Sequence, residues 1–221
     1  MTRVLIRSTA LLLFLGSAAG AGQRAPGEVR FRFAFGAVTG SGESQTLTAI
    51  TEDTSLETGD RLKITIELVR PGFVYVLHRG PNDEVTLLFP PDLKASPQVG
   101  RTTYLPDETR WFELDEHPGS ETFYLLGSVE RLRALETMLE RNALAPASGK
   151  SAISVEIVAE IRRLRLEHRN VLAEAERPVI IGGNVRGLEK VPGRALPDVS
   201  TLAVEVVAAD FYARTFTITH Q

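Results

Sequence analysis

The sequence predicts a mainly β fold of the α+β class: an antiparallel β-sandwich or barrel-like sheet, with a two-helix insertion ahead of the last strands. Three observations predict it. Apolar and polar residues alternate at a period of two through several short runs, the pattern of strands with one buried face. Turns rich in glycine and proline separate those runs at short spacing, as in sandwiches and barrels. Between about residues 129 and 177 the apolar period changes to three-to-four, and strands give way to helices.

The first strand is "VRFRFAF", with Val29, Phe31, Phe33 and Phe35 on one face and Arg30, Arg32 and Ala34 on the other. "GAVTGSGES" breaks it with glycines and serines. "TGDRLKITIELV" repeats the alternation, with Leu62, Ile64, Ile66 and Leu68 inside and Lys63, Thr65 and Glu67 outside. Pro71-Gly72 is a turn pair. "FVYVL" is apolar on both faces, so it is a central strand covered on both sides, and "RGPNDE" turns it into the return strand "VTLLF". Pro90-Pro91 stops the pairing, and after a loop to about Arg101 come three short strands, "TYLP", "WFEL" and "TFYLLGS", with a "DEHPGSE" turn before the last. Ser128 is placed to cap a helix beginning near Val129, with Leu132, Leu135, Met138 and Leu139 on one face and an end near Asn142. "APASGK" links it to a second helix over about Ala152 to Glu176, whose stripe runs through Ile153, Ile157, Ile161, Leu164, Val171 and Leu172. Pro178 ends that helix. "VIIGG", "TLAVEVVAA" and "FYARTFTITH" complete the strands, the last with Tyr212, Phe216 and Ile218 on one face.

Composition bounds the function classes. With 43% apolar and 24% charged residues among 221, the chain is an ordinary globular protein. A formal charge of −3 gives no electrostatic footprint for nucleic acid or anionic membrane. The absence of cysteine excludes disulfides, thiolate catalysis and cysteine-held zinc. Arg3 and Arg7, then the apolar run Leu11 to Leu15, then "GSAAGAG" are the three zones of a cleavable signal peptide over residues 1–21. That run is far short of the ~20 residues that span a bilayer. The expectation is a periplasmic or secreted protein with no transmembrane anchor in its mature chain. Residues 22–45 form a lead-in with the first strand, and residues 46–221 a single β-rich domain with the helical insertion at about 129–177.

Chemical motifs are sparse. The four histidines, His78, His117, His168 and His220, have no zinc-binding spacing, and no serine sits in a nucleophile elbow. His78, at a strand end, is either a rim base or, as preferred here, bonded to backbone; His117, among Asp115, Glu116, Ser120 and Glu121, belongs to a hairpin turn. Asn82, Asp83 and Glu84 lack the spacing of a calcium loop. Arg162, Arg163, Arg165 and Arg169 alternate with Glu156, Glu160 and Glu167, a mixed solvated helix face. "VIIGGNVRG" is no dinucleotide fingerprint. No cofactor and no metal are called for.

The stretch "GDRLKITIELVRPGFVYVLHRGPNDEVTLLFP", followed by Leu105-Pro106 and then "PGSETFYLLGS", resembles the bacterial domain-of-unknown-function family 4384 over about residues 56–128. The resemblance implies a β-rich module of exported or multidomain bacterial proteins, in some of them beside caspase-like peptidase or kinase domains. It brings no catalytic residues. Pro91 stands where that family usually carries asparagine.

The expected function is therefore that of an exported, non-catalytic module mediating protein–protein interaction in the bacterial envelope. Its candidate surface is Trp111, Tyr104, Arg30, Arg32, Arg162 and Arg165; the "VRFRFAF" strand is either an edge for pairing with another protein or, equally, paired internally. The alternative is a small-ligand or glycan-binding module using exposed Trp111, Phe112, Tyr104 or Tyr124. A hydrolase built on His78 or His117 is the third reading.

Overall fold

The computed structural model describes residues 27–40, 44–168, 176–178 and 197–221. The leader, Arg169, Val171 and Leu172 of the second helix, and the "VIIGG" strand lie outside these residues. The order of elements is β1 (Glu28–Thr39), β2 (Thr46–Ala49), β3 (Asp53–Leu56), β4 (Arg61–Leu68), β5 (Phe73–Arg79), β6 (Val85–Phe89), β7 (Thr102–Leu105), β8 (Phe112–Glu113) and β9 (Gly119–Ser128). Then follow α1 (Arg133–Leu144), α2 (Ala147–Glu167), β10 (Glu176–Pro178), β11 (Val204–Ala209) and β12 (Phe211–His220).

The strands form two open sheets. The first has the order β10-β11-β1-β4-β7, with β2 beside the second half of β1 and β8 beside the start of β4. The second has the order β3-β12-β9-β5-β6, antiparallel except for β3 on β12. They meet face to face as a sandwich, as the alternation requires. Phe31, Phe33 and Phe35 of β1 and Leu62, Ile64, Ile66 and Leu68 of β4 are buried against Val74, Val76, Phe123, Leu125, Tyr212, Phe216 and Ile218 of the second sheet. Aromatic edges meet faces across the gap: Phe35 lies 5.0 Å from Phe123 and 5.2 Å from Phe216, and Phe31 lies 5.6 Å from Tyr212. A Cβ at Gly127 would stand 2.6 Å from Phe31 Cε1, so β9 passes this ring only as glycine.

The helices form a third layer. Tyr75, Leu77, Tyr124, Leu126 and Phe211, on the other face of the second sheet, are covered by Leu135 and Leu139 of α1 and Ile157, Val158, Ile161 and Leu164 of α2.

Several expectations are corrected. Of the two readings of "VRFRFAF" the internal one holds and the free edge falls, because β11 and β4 flank it. Nor does "GAVTG" break the strand. β1 runs on to Thr39, and Gly36 marks a close approach, where a Cβ would lie 2.5 Å from Val199 Cγ2 of a short 3-10 helix (Val199–Leu202). That helix crosses the outer face of the first sheet, so Lys63 and Thr65, expected in solvent, are each 4% exposed. Ser128 caps no helix. The ladder claims it, opposite Phe73 and Phe211, and α1 starts five residues later. Helix α2 starts at Ala147, straight after Pro146, so "APASGK" is mostly its first turn. Glu176, expected to end that helix, opens β10. The threonine-rich β2 and β3 carry too little apolar alternation to be read from the sequence.

Candidate functional site

Arg30 and Arg32 occupy the outer face of the first sheet, where register places Glu205 of β11 opposite Arg32 on one side and Glu67 of β4 on the other. Glu205 accepts from Arg30 Nε at 2.8 Å and Arg32 Nε at 3.0 Å, and Arg32 Nη1 reaches Glu67 at 3.5 Å. The Arg30 guanidinium, with help from Arg32, holds the Glu205 carboxyl below its ordinary range. Both arginines are thus committed within the sheet.

Further along the same face, Tyr104 and Trp111 converge on Lys63. The ammonium lies 4.8 Å from the Trp111 ring and 5.7 Å from that of Tyr104, and it donates to the Glu108 carbonyl at 2.7 Å. Burial pushes the Lys63 amine below its ordinary pKa. An open cleft of about 630 Å³ borders these residues with Glu108, Thr109 and Asp198. Lys63 escaped sequence reasoning because a lysine in strand alternation normally marks the wet face. Tyr124 and Phe112, expected as exposed aromatics, are not: Tyr124 is buried beneath the helices, and Phe112 is packed against the sandwich core.

The four histidines share no common side-chain site. His78 is not bonded to backbone as expected. Its Nε2 lies 2.9 Å from Glu121 Oε2, and its ring lies 4.7 Å from Phe123, because β9 runs antiparallel to β5 and sets both residues beside it. His117 sits in its turn, where its N–H donates to Asp115 Oδ1 at 2.8 Å. Buried His220 bridges Thr58 Oγ1 at 3.0 Å and the His117 carbonyl at 3.1 Å, tying the end of β12 to two turns. His168 stacks on Phe211. Among the described residues no group of three or more His, Asp or Glu side chains could hold a metal ion.

The outer face of α2 is different in kind. Ser148, Ala152, Val155, Ala159, Arg162 and Leu166 recur at three- and four-residue steps and are all exposed, Val155 by 67% and Leu166 by 68%. Leu144, at the end of α1, is 87% exposed. A helix with its opposite face in the core thus presents a second apolar seam outward. Its flanks are charged. Arg163 is held by Glu160 and Glu167, Glu156 by Arg141, and Arg165 reaches Thr215 Oγ1 at 3.2 Å, while Arg162 has no hydrogen bond or ion pair among the described residues.

An apolar groove of about 260 Å³ lies at one end of the sandwich, roofed by the loop after β6. Leu68, Phe73, Phe89, Pro90, Leu93 and Pro97 line it. At one wall Tyr75 donates to Glu136 Oε1 at 2.7 Å, and Arg131 donates to Glu136 at 3.0 Å and to the loop carbonyls of Leu93 and Ala95. Arg131 and Glu136 are therefore engaged in holding the groove's roof. Burial, reinforced by the bond to Glu136, drives the Tyr75 hydroxyl well above the usual phenol range.

Residues 55–131 match the family model DUF4384, a domain of unknown function. No curated protein and no solved structure matches the chain.

The DUF4384 segment spans β4 to β9 and supplies every residue lining the groove except Glu136. Pro91, where the resemblance led one to expect asparagine, sits in that lining, where it has no N–H to donate. Helix α2 and its seam lie outside the segment. The six candidate residues therefore fall in three places: Tyr104 and Trp111 around Lys63, Arg30 and Arg32 in the Glu205 cluster, and Arg162 and Arg165 in the helical layer. Among the described residues no helix is long and apolar enough to cross a membrane.

Proposed function

We propose that the chain is an exported, non-catalytic module of the bacterial envelope that binds protein through the outer face of α2. The observation that carries this reading is the outward seam, because three of the four large apolar side chains exposed among the described residues, Leu144, Val155 and Leu166, lie in the helical layer. The three zones of a signal peptide at residues 1–21 support export. The test is crosslinking in intact cells with the tagged chain and its Val155→Glu and Leu166→Glu variants. A reproducible partner lost by both variants, each exported at wild-type level, is the expected result. A partner retained by both would refute the proposal.

A second reading has its own observation. Trp111 and Tyr104 flank an open cleft with Glu108 and Asp198 at its border, a composition suited to a glycan or another small polar ligand. Trp111 is the chain's one tryptophan, so intrinsic fluorescence reports on this cleft alone. A saturable change with a cell-wall saccharide, abolished in Lys63→Met, is expected on this reading; a flat response across a saccharide panel removes it.

A further inference from the structure

We infer that the groove roofed by the loop after β6 binds a small carboxylate with an apolar tail, the tail lying in the groove and the head on Arg101. This site is separate from the outer face of α2 and stands or falls without it.

The lining calls for an apolar tail. Phe73, Phe89, Pro90, Leu93 and Pro97 are each only half-buried, and all five share this one space of about 260 Å³. Apolar surface gathered in a concavity gains most from an occupant that removes it from water. The volume lies just under the ~300–1,000 Å³ of small-molecule sites, which limits the occupant to a single short chain. The roof is set before any ligand arrives. Arg131 donates to the carbonyls of Leu93 and Ala95, and the Gly100 N–H donates to the Leu68 carbonyl at 2.8 Å, so the loop is tied both to the segment before α1 and to the end of β4. A preformed groove has little ordering left to lose on binding.

Charge selects the head. Three charged side chains line the groove, Arg101, Arg131 and Glu136. Glu136 accepts from Arg131 and from the Tyr75 hydroxyl, so the Arg131–Glu136 pair cancels. Arg101 follows Gly100 and is seated at the groove by the same bond to β4. Among the described residues its one hydrogen-bond partner is neutral, Gln98 Oε1 at 3.1 Å from Nη1. Its remaining donors match a carboxylate, which a guanidinium takes through two parallel N–H bonds. An amine head would be repelled there, and an alcohol would leave the charge unmatched.

The test is a nuclear magnetic resonance titration of the full chain with decanoate, octanoate, decanol and acetate. Decanoate should give saturable shifts centred on the amides of residues 93–103. Octanoate should bind about tenfold more weakly, since each buried CH₂ is worth roughly fourfold, and acetate should not bind. Arg101→Gln, at an exposed position, should weaken decanoate about tenfold and leave decanol unchanged. Thr103→Phe, which fills the groove from β7 opposite Ile66, should abolish binding of both; Ser96→Phe, from the exposed roof, replaces it if that variant does not fold. No saturable shift with decanoate, shifts that map elsewhere, or binding that survives the filled groove overturns the site. An Arg101→Gln variant that binds decanoate as the wild type does overturns the carboxylate assignment.

Discussion

At Glu205 one carboxylate receives N–H donors from two arginines two residues apart on β1, and this follows directly from the register of three strands. Its folded pKa lies below the ordinary 4.5, so it binds a proton less readily folded than unfolded. The stability it contributes is therefore fully present above the unfolded carboxylate pKa and is lost as pH falls through the lower, folded one. Glu205→Gln should lower stability near neutrality by about 1–2 kcal/mol and flatten the acid limb below the ordinary carboxylate pKa. Urea midpoints for both proteins from pH 7 to 3 check this, and parallel acid limbs would show that Glu205 contributes nothing to the limb. Gly127 makes a steric case of the same size. Adding a methyl group 2.6 Å from the Phe31 ring forces β9 or the ring to move, so Gly127→Ala should cost about 1–3 kcal/mol in urea unfolding. Both sites were half legible in the sequence. Alternation put Phe31 in the core and Arg30 and Arg32 outside it, but only strand order shows that Gly127 crosses that ring and that Glu205 faces those arginines.

Among elements, β6 shows how the helices complete the sheet. It is the outer strand of the second sheet, and its first residue would present an unpaired N–H and C=O. Ser154 Oγ of α2 accepts from the Val85 N–H at 2.9 Å, and Asn142 Nδ2 of α1 donates to the Val85 carbonyl at 2.8 Å. Both side chains are buried, Ser154 at 1% and Asn142 at 7% exposure. Ser154→Ala hardly changes the volume but strands a buried N–H, so it should cost about 1–3 kcal/mol. Amide exchange at Val85 should accelerate while the centre of β9 stays protected; unchanged exchange would mean that Ser154 is not the strand's cap. The strands themselves were the readable part, because a period of two survives wherever one face is buried. Helix ends were not readable. Ser128 is a good cap by residue type, yet the sheet ladder takes it first, and Pro146 starts a helix that composition had assigned to a linker. The α2 seam was hidden for a related reason: the inward stripe of Ile157, Ile161 and Leu164 accounts for a helix by itself, and a second apolar row becomes visible only once the first is seen to be buried.

For the molecule as a whole, the decisive question is whether residues 129–177 are an insertion or a layer. The sequence suggested an insertion, since two helices interrupt a run of strands. The two helices do stand between β9 and the C-terminal strands, as that reading has it, and the chain then returns to pair β12 with β9 in the centre of the second sheet. The face so enclosed carries Tyr75, Leu77, Tyr124, Leu126 and Phe211, each 8% exposed or less with the helices in place. Removing the helices would bare that face in one contiguous patch and strip Val85 of both its caps. Tyr75 would also lose Glu136, the carboxylate that receives its hydroxyl, and the groove roof would lose the same anchor. Deletion of residues 129–177 should therefore give a chain that binds a hydrophobic dye strongly and elutes as aggregate in size-exclusion chromatography. Val155→Glu, on the outer face of the same helix, should stay free of aggregate and melt as the wild type. A soluble deletion with native β-sheet circular dichroism would mean that the sandwich folds without its third layer. The contrast between the two variants matters for function as well. The inner face of α2 is needed to fold the module, so only substitutions on its outer face can reveal what that face binds.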